Sequence, residues 1–493
     1  MDTENRPETV SSGVPDFEAL FDLHNPEVCV RILKNEVPPE QFPAALEWLC
    51  DRFGREQILE SMQNPQNPTV FPETTLPHTD LLHRAYDKVR NLRSRCRGEG
   101  VRAGLKSFVQ NETVLRDLRK QYSISEILQM PLILFESVPD FTDNTRAVYE
   151  YLLTTGLNRT YRFVWITEDT GLRQNRPEDN VYFIPMNAWM HPEIRDEIWG
   201  KTAAMLSSNR RIFWRPAPGQ ISLFLTHGSP LKASPDYNYY NNYSYVLAQS
   251  EWLKSYVAYE NETDPERLKV LGIPRNDDLF HPDNALEKME MDGFHRVIVW
   301  LPTYRKHAHT DWASNMEPDS DLGIPVLKTV ADAERLNQFL RERNLLLVMK
   351  PHPQQDTSGL HAASLSNFRI IRDRDLETRQ VRLYQLLGAA DAMVTDYSSV
   401  YYDYLLTDRP IGLTTDDFEQ YENKRGFVYA NPYDVLKGHR IAEESGFEAF
   451  LEDVADGRDP YGEERRRICR LTNDFRDDQS AKRVGDFLIS LLQ

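Results

Sequence analysis

The chain has 493 residues, of which 40% are hydrophobic and 27% are charged, so its composition is that of a globular protein and excludes a disordered one. At roughly 150 residues per domain, this length predicts two large domains or about three smaller ones. The net charge of −18 at pH 7 argues against a general nucleic-acid-binding protein, because such proteins carry a basic footprint.

Residues 1–125 show mostly helical periodicity, interrupted by a linker rich in proline and asparagine at 64–77. A basic run follows the linker, and its members include Arg84, Lys88, Arg90, Arg93, Arg95 and Arg97. A solvated helix face is the simplest explanation of such a run. The alternative is peripheral contact with an anionic membrane or an anionic polymer. We therefore interpret residues 1–125 as a helical accessory region.

From residue 130 onward, short apolar runs alternate with helical patterns. A first series predicts strands at 131–135, 161–166, 181–184, 221–225 and 245–248, and a second series predicts strands at 297–301, 345–349, 368–371, 392–395 and 410–413. Helices are predicted at 143–156, with Asp143 or Asn144 as the cap, and at 329–343, 378–388 and 400–406. Alternating strands and helices indicate parallel sheets covered on both faces. We predict an α/β fold with two Rossmann-like doubly wound domains that face a cleft, one at 130–286 and one at 290–493 that includes the C-terminal helix.

Polar residues follow the predicted strands, at the edge where doubly wound sheets bind ligands. In the first domain, His227 comes directly after strand 221–225. A neutral imidazole in that position can remove a proton from a hydroxyl group. A single loop histidine is more often structural, so the residue alone does not establish a site.

Three strand ends of the second domain offer groups that suit a diphosphate. They carry Thr303 and Arg305 after strand 297–301, His352 after strand 345–349, and Ser398 and Ser399 after strand 392–395. A helix start with small hydroxyl residues attracts anions, and arginine and imidazole add donors. In the alternative interpretation, Asp396 caps that helix and the two serines are its first turn.

Motifs of several competing functions are absent from the sequence. It contains no GxxxxGK[ST] phosphate loop, no GxGxxG after a strand, no HExxH and no GxSxG. Its four cysteines have no CxxC spacing, which argues against zinc and disulfides and favours a reducing cytosol. We predict no metal and no required cofactor, so helix ends, arginine and histidine must balance the charge of a bound nucleotide.

An ordered set of short motifs resembles the CDP-glycerol:poly(glycerol phosphate) glycerophosphotransferases, the polymerases of teichoic acids and related capsule polymers. The matching segments lie at 135–137, 143–151, 161–165, 227–232, 272–277, 301–305, 350–353, 395–403, 409–411 and 417–426. Among them are His227-Gly-Ser-Pro-Leu-Lys232, Lys350-Pro-His-Pro353 and Thr395-Asp-Tyr-Ser-Ser399. Each motif is short, and the order across about residues 131–490 makes the resemblance specific.

The resemblance implies a GT-B-type fold and a cytosolic enzyme that is peripheral to the membrane. Such an enzyme moves glycerol phosphate from CDP-glycerol to a lipid- or polymer-linked alditol or sugar phosphate acceptor, and CMP leaves. It implies that His227 and His352 are the catalytic residues, with His227 as the base. It also implies that His352, Ser398 and Ser399 contact the donor diphosphate, with Thr303, Arg305 and Arg425 nearby. The resemblance does not define a role for the supporting positions Lys232, Arg275, Asn276, Asp277 and Asp396.

The sequence departs from the family pattern around His227. The family usually has Trp where this chain has Thr226, and Thr where it has Ser229. These positions lie on the acceptor side, so the sequence does not identify the acceptor. Three alternatives also stay open: transfer from CDP-ribitol or another CDP-alditol, a nucleotide-sugar glycosyltransferase or epimerase of the same fold, and a non-catalytic polymer-binding relative.

Overall fold

The computed structural model describes residues 112–168, 175–209, 216–233, 242–260, 263–303, 322–352, 355, 360 and 365–493. The basic run at 84–97 and most of the predicted accessory region lie outside these residues, as does Arg305. In the rest of that region, the structure has a helical segment at 112–121 and a short helix after it.

Seven parallel strands form the first sheet, in the order β3-β2-β1-β4-β5-β6-β7. The strands are β1 (Leu132–Glu136), β2 (Arg162–Thr167), β3 (Val181–Pro185), β4 (Thr202–Ser207), β5 (Ile221–Phe224), β6 (Tyr245–Ala248) and β7 (Leu268–Val270). Every residue of β1, β2 and β3 is buried, as expected for strands covered on both faces. The winding direction reverses between β1 and β4, which is the doubly wound arrangement.

Six parallel strands form the second sheet, in the order β10-β9-β8-β11-β12-β13. They are β8 (Arg296–Trp300), β9 (Leu345–Met349), β10 (Phe368–Ile370), β11 (Ala392–Thr395), β12 (Ile411–Thr414) and β13 (His439–Ile441). The reversal between β8 and β11 repeats the pattern of the first sheet. We call β1–β7 with their helices the first lobe and β8–β13 with theirs the second lobe.

Helices cover both faces of each sheet. They are α1 (Ile124–Ile127), α2 (Asp143–Thr155), α3 (Met186–Trp189), α4 (Pro192–Trp199), α5 (Glu251–Glu260), α6 (Ala285–Lys288), α7 (Val330–Glu342), α8 (Asp373–Thr378), α9 (Leu383–Ala389), α10 (Val400–Tyr404), α11 (Phe418–Lys424), α12 (Glu444–Ala455), α13 (Gly462–Thr472) and α14 (Ser480–Leu492). Alternate residues of β1 enter different apolar cores, Leu132 and Leu134 on one face and Ile133 and Phe135 on the other. The predicted fold of two Rossmann-like parallel-sheet lobes is confirmed.

The C-terminal helix α14 belongs by its packing to the first lobe. Val484 and Leu488 lie in the same apolar core as residues of α2 and β1. Asp277 accepts hydrogen bonds from the backbone N–H groups of Ser480 (2.9 Å) and Ala481 (2.8 Å) at the start of α14. The prediction that this helix belongs to the second domain is wrong, because the chain crosses back after α13 and ends on the first lobe.

The two lobes share apolar contacts. Trp252 and Tyr256 of α5 pack against Tyr429 of the second lobe, with ring centroids 5.8 and 4.9 Å apart. Leu231 and Leu253 of the first lobe lie in a core that otherwise consists largely of second-lobe residues. Because this packing fixes the lobes relative to each other, residues from both can form one site.

A close backbone contact at Gly388 makes a testable prediction about the segment that joins the lobes. A Cβ atom on Gly388 in α9 would lie 2.3 Å from the carbonyl oxygen of Leu279, in the 3-10 segment Pro274–Phe280. Since backbone cannot rotate away, we expect Gly388→Ala to lower the free energy of unfolding by about 1–3 kcal/mol. Thermal melting measures the effect, and Gly293→Ala is the control because its Cβ would meet nothing within 4 Å. Equal melting temperatures for the two variants would contradict this packing.

Candidate functional site

His227 lies just after β5. Its Nδ1 is bound to a carboxylate, and most of its side chain is exposed to solvent. Its side chain is 64% exposed, and its Nδ1 lies 2.6 Å from Oδ2 of Asp143, a residue with a buried side chain at the start of α2. Because a carboxylate only accepts hydrogen bonds, a neutral His227 carries its proton on Nδ1. The lone pair then resides on Nε2, which can accept a proton from a ligand.

The backbone that leads to His227 is held by Asn144. The side-chain nitrogen of Asn144 donates to the carbonyl oxygens of Leu225 (3.0 Å) and Thr226 (2.9 Å), and its oxygen accepts from the N–H of Arg275 (3.0 Å). Thr226 itself has a left-handed backbone with φ of 57°. The prediction that Asp143 or Asn144 caps α2 is wrong, because Thr142 occupies the cap position and both side chains hold the loop after β5.

Arg275 connects the two lobes beneath His227. Its Nη1 donates to Oδ1 of Asp143 (2.8 Å) and to the carbonyl oxygen of His227 (3.0 Å), and its Nη2 donates to Oδ2 of Asp403 in α10 (2.8 Å). Burial alone raises the pKa of a carboxyl group, but the charges of Arg275 and His227 outweigh it and hold the pKa of Asp143 well below its usual range. Asp143 is therefore ionised at any physiological pH.

Asp403 is a buried carboxylate surrounded by donors. Besides Arg275, it accepts hydrogen bonds from Tyr384 Oη (2.6 Å), Asn276 Nδ2 (3.0 Å) and Gln249 Nε2 (3.3 Å). A buried charge needs such partners, because desolvation is costly without them. The structure thus places Arg275 and Asn276 in a buried network. Asp277, their neighbour in sequence, caps α14 instead, and burial raises the pKa of Asp277 to about 6.

The residue after His227 touches the second lobe. A Cβ atom on Gly228 would lie 2.1 Å from Oγ of Ser399, so only glycine allows this approach. Ser399 is at the cap position of α10 and Ser398 precedes it. The two serines therefore lie beside the His227 loop, although α10 is short, with five residues.

Lys232 extends from the same first-lobe loop toward the second lobe. Its Nζ lies 3.3 Å from Oγ1 of Thr303. Thr303 donates to the buried carboxylate of Asp396 through its backbone N–H (2.8 Å) and its Oγ1 (2.5 Å). Asp396 thus holds the turn after β8. The alternative interpretation, in which Asp396 caps α10, is wrong, because Ser399 occupies the cap position. Arg425 precedes Gly426, whose carbonyl oxygen accepts from the N–H of Ala233 (3.2 Å).

His352 follows β9 and belongs to the same electrostatic environment. Partial desolvation and the charges of Lys350, Lys232 and His227 lower the pKa of His352 to about 4, although much of its surface stays exposed. His352 is therefore neutral at pH 7, and its ring offers one N–H donor and one acceptor. Trp300 of β8 pairs with Met349 of β9, so Thr303 and His352 follow neighbouring strand ends, and Lys232 contacts Thr303.

The structure thus gathers His227, Lys232, Thr303, His352 and Ser399 between the ends of strands from both lobes. Sequence reasoning missed Asp143 and Asp403 as parts of the site. Within the described ranges, no three histidine, cysteine, aspartate or glutamate side chains group as a metal site requires. None of the helices in the part of the chain that the structure describes has the length and apolar character of a membrane span.

The chain is similar in sequence to proteins of teichoic acid synthesis. The chain is 24% identical over 262 residues to the teichoic acid ribitol-phosphate primase of Bacillus spizizenii, covering 51% of this chain and 61% of that one. It is 24% identical over 420 residues to the teichoic acid poly(glycerol phosphate) polymerase of Staphylococcus epidermidis, covering 76% and 53% respectively. The chain therefore spans less than two thirds of the length of either relative.

A solved structure shows the same fold. It is a variant of the wall teichoic acid polymerase TagF soaked with CDPG, which matches 83% of this chain and 98% of its own with a TM-score of 0.58 and 18% identity. The sequence profile of the CDP-glycerol:poly(glycerophosphate) glycerophosphotransferases matches residues 119–490, well over half of the chain. The resemblance seen in the ordered motifs is confirmed, and the chain belongs to this family of transferases.

Proposed function

We propose that this protein transfers alditol phosphate from a CDP-alditol to a hydroxyl group of a lipid- or polymer-linked alditol or sugar phosphate, with release of CMP. The observation that carries the proposal is the position of His227. Its side chain is largely exposed, its Nδ1 is bound to a buried carboxylate, and the next residue, Gly228, packs against Ser399 of the other lobe. A proton acceptor thus faces groups that suit a diphosphate.

In the proposed reaction, the acceptor oxygen attacks the alditol-side phosphorus of the donor. A new P–O bond forms, the bond to the CMP oxygen breaks, and the hydroxyl proton passes to Nε2 of His227. His352, Ser398 and Ser399 donate hydrogen bonds to the diphosphate oxygens, and Lys232 supplies a positive charge from the first lobe. Phosphoryl transfer depends mainly on such positioning and charge stabilisation.

CDP-glycerol is the donor we propose first, and CDP-ribitol is the alternative. The names of the relatives support both, since one acts with glycerol phosphate and another with ribitol phosphate. The alditols differ in length by hydroxymethylene groups, which the shape of the pocket must distinguish. Membership of this family weighs against a nucleotide-sugar enzyme of the same fold.

Incubation with each donor and a lipid- or sugar-phosphate acceptor tests the proposal. We expect CMP to form with one CDP-alditol, and the acceptor to gain the mass of one alditol phosphate for each CMP released. A UDP-sugar should release no UDP. Binding of both CDP-alditols without any CMP would instead support a non-catalytic, polymer-binding protein.

The lowered pKa of His352 predicts that donor binding takes up protons. A bound diphosphate favours the imidazolium form, so it should raise the pKa of His352 from about 4 in the free protein. Affinity for a CDP-alditol should therefore increase as the pH falls below about 6.5 toward 4. Calorimetry at pH 5.5 in buffers of different ionisation enthalpy measures the uptake. His352→Gln should abolish it, and equal uptake in that variant would assign the proton to another group.

The proposal also covers where the protein is located in the cell and which polymer it makes. Peripheral attachment at the cytoplasmic face of the membrane through the basic residues at 84–97 stays a prediction, since these residues lie outside the described ranges. Whether the product is a wall polymer or a capsule polymer depends on the acceptor.

A further inference from the structure

We propose that Arg275 is a positioning residue: held by Asp403 of the second lobe, it fixes Asp143 and the backbone of His227, and thereby sets the direction of the His227 ring. The inference rests on the proposed role of His227 as the base. It adds that the second lobe controls the orientation of a base carried by the first.

One guanidinium holds His227 at two points. Nη1 of Arg275 contacts both the His227 carbonyl oxygen (3.0 Å) and Oδ1 of Asp143 (2.8 Å), while the other oxygen of Asp143 binds His227 Nδ1 (2.6 Å). The backbone and the side chain of the same histidine thus depend on one group. A lysine ammonium lacks the planar fork that reaches two carboxylates in fixed directions.

The second lobe holds the other side of the fork. Nη2 of Arg275 binds Asp403 (2.8 Å), and the guanidinium also lies 5.0 Å from the ring centroid of Tyr384, which donates to Asp403. Asp403 and Ser399 are parts of the same short helical turn at α10. The element that presents Ser399 to the donor therefore also anchors the arginine that positions the base.

A second arginine, Arg382, provides a control that distinguishes positioning of His227 from a purely structural link between the lobes. Arg382, at the start of α9 in the second lobe, also binds two carboxylates, Glu150 of α2 (2.9 Å) and Asp278 (2.6 Å). It has the same chemistry and also links the lobes. None of the hydrogen bonds described for Arg382 involves His227, Asp143 or Asp403. Arg382→Lys is therefore the matched control for Arg275→Lys.

The experiment measures CMP release, donor affinity and thermal melting for both variants. We expect Arg275→Lys to lower kcat by about 10- to 10²-fold, as misplacement of a catalytic group does, with donor affinity changed less than about twofold. Arg382→Lys should keep the wild-type kcat. Equal losses of kcat in the two variants would mean that Arg275 only links the two lobes, and this result would overturn the proposal.

A double-mutant cycle shows whether Arg275 acts through His227. Adding Arg275→Lys to His227→Ala should not lower the residual rate further, because the group to be positioned is gone. Independent, multiplying losses would overturn the proposal. If Arg275→Lys does not fold, Asp143→Asn replaces it in the cycle, with an expected loss of about 10²- to 10⁴-fold. Wild-type activity in His227→Ala would instead refute the proposed base, so the two failures are distinguishable.

Discussion

Replacement of His227 by alanine should lower the rate of CMP release by about 10²- to 10⁴-fold, the usual effect of losing a general base. Donor affinity should change little, because the proposed hydrogen-bond donors to the diphosphate lie on the second lobe and Lys232 is left in place. Steady-state kinetics and calorimetry with a CDP-alditol measure the two quantities.

His281 provides a matched control for this variant. It is also an exposed histidine with a carboxylate partner, since its Nε2 lies 2.8 Å from Asp478. His281→Ala should keep the wild-type rate. A His227→Ala protein that retains wild-type turnover would remove His227 from the mechanism.

Replacement of Gly228 by alanine should lower both turnover and stability. The new Cβ would lie 2.1 Å from Oγ and 2.9 Å from Cβ of Ser399, so the His227 loop or the start of α10 must move. We expect a loss of about 10²-fold in kcat from displacement of the site and about 1–3 kcal/mol in stability. Kinetics and thermal melting measure the two effects.

Ser399→Gly tests the cause of that loss. It removes the two atoms that would lie within 3 Å of the new methyl group, so the double variant Gly228→Ala, Ser399→Gly should recover much of the melting temperature. It should not recover turnover, because Ser399 is a proposed donor contact. A Gly228→Ala protein as stable and active as wild type would contradict the close approach of the two lobes.

Much of the fold follows from local patterns. Strands such as Val297–Leu301 and Leu345–Met349 are continuous apolar runs, which is typical of strands buried on both faces. Strand β4 was not predictable from its sequence, since Thr202-Ala-Ala-Met-Leu-Ser207 contains only one β-branched residue and no aromatic one. Strands β7 and β13 were not predictable either, because they have three residues each and lie at sheet edges.

The path of the C-terminal helix could not be predicted from its pattern. The sequence of α14 has one apolar face, and that face would suit either sheet equally well. Contacts with α2 and the hydrogen bonds to Asp277 place α14 on the first lobe. Both depend on residues some 200 or more positions earlier in the chain.

The site residues that follow strand ends were predictable from the sequence. The buried charged residues that hold them in place were not. His227, His352 and Ser399 each follow a predicted strand. Asp143 looks like an ordinary residue of a helix start, and nothing local shows that its partners are His227 and Arg275. Asp403 did offer a signal, because it is the only charged residue in the buried helix Val400-Tyr-Tyr-Asp-Tyr404.

The most direct test is the structure of the His227→Ala protein with a CDP-alditol bound. We expect the diphosphate to contact His352 and Ser399, and the alditol-side phosphorus to face the space left by the imidazole. A diphosphate bound away from these groups, or a donor whose phosphorus faces away from position 227, would contradict the account.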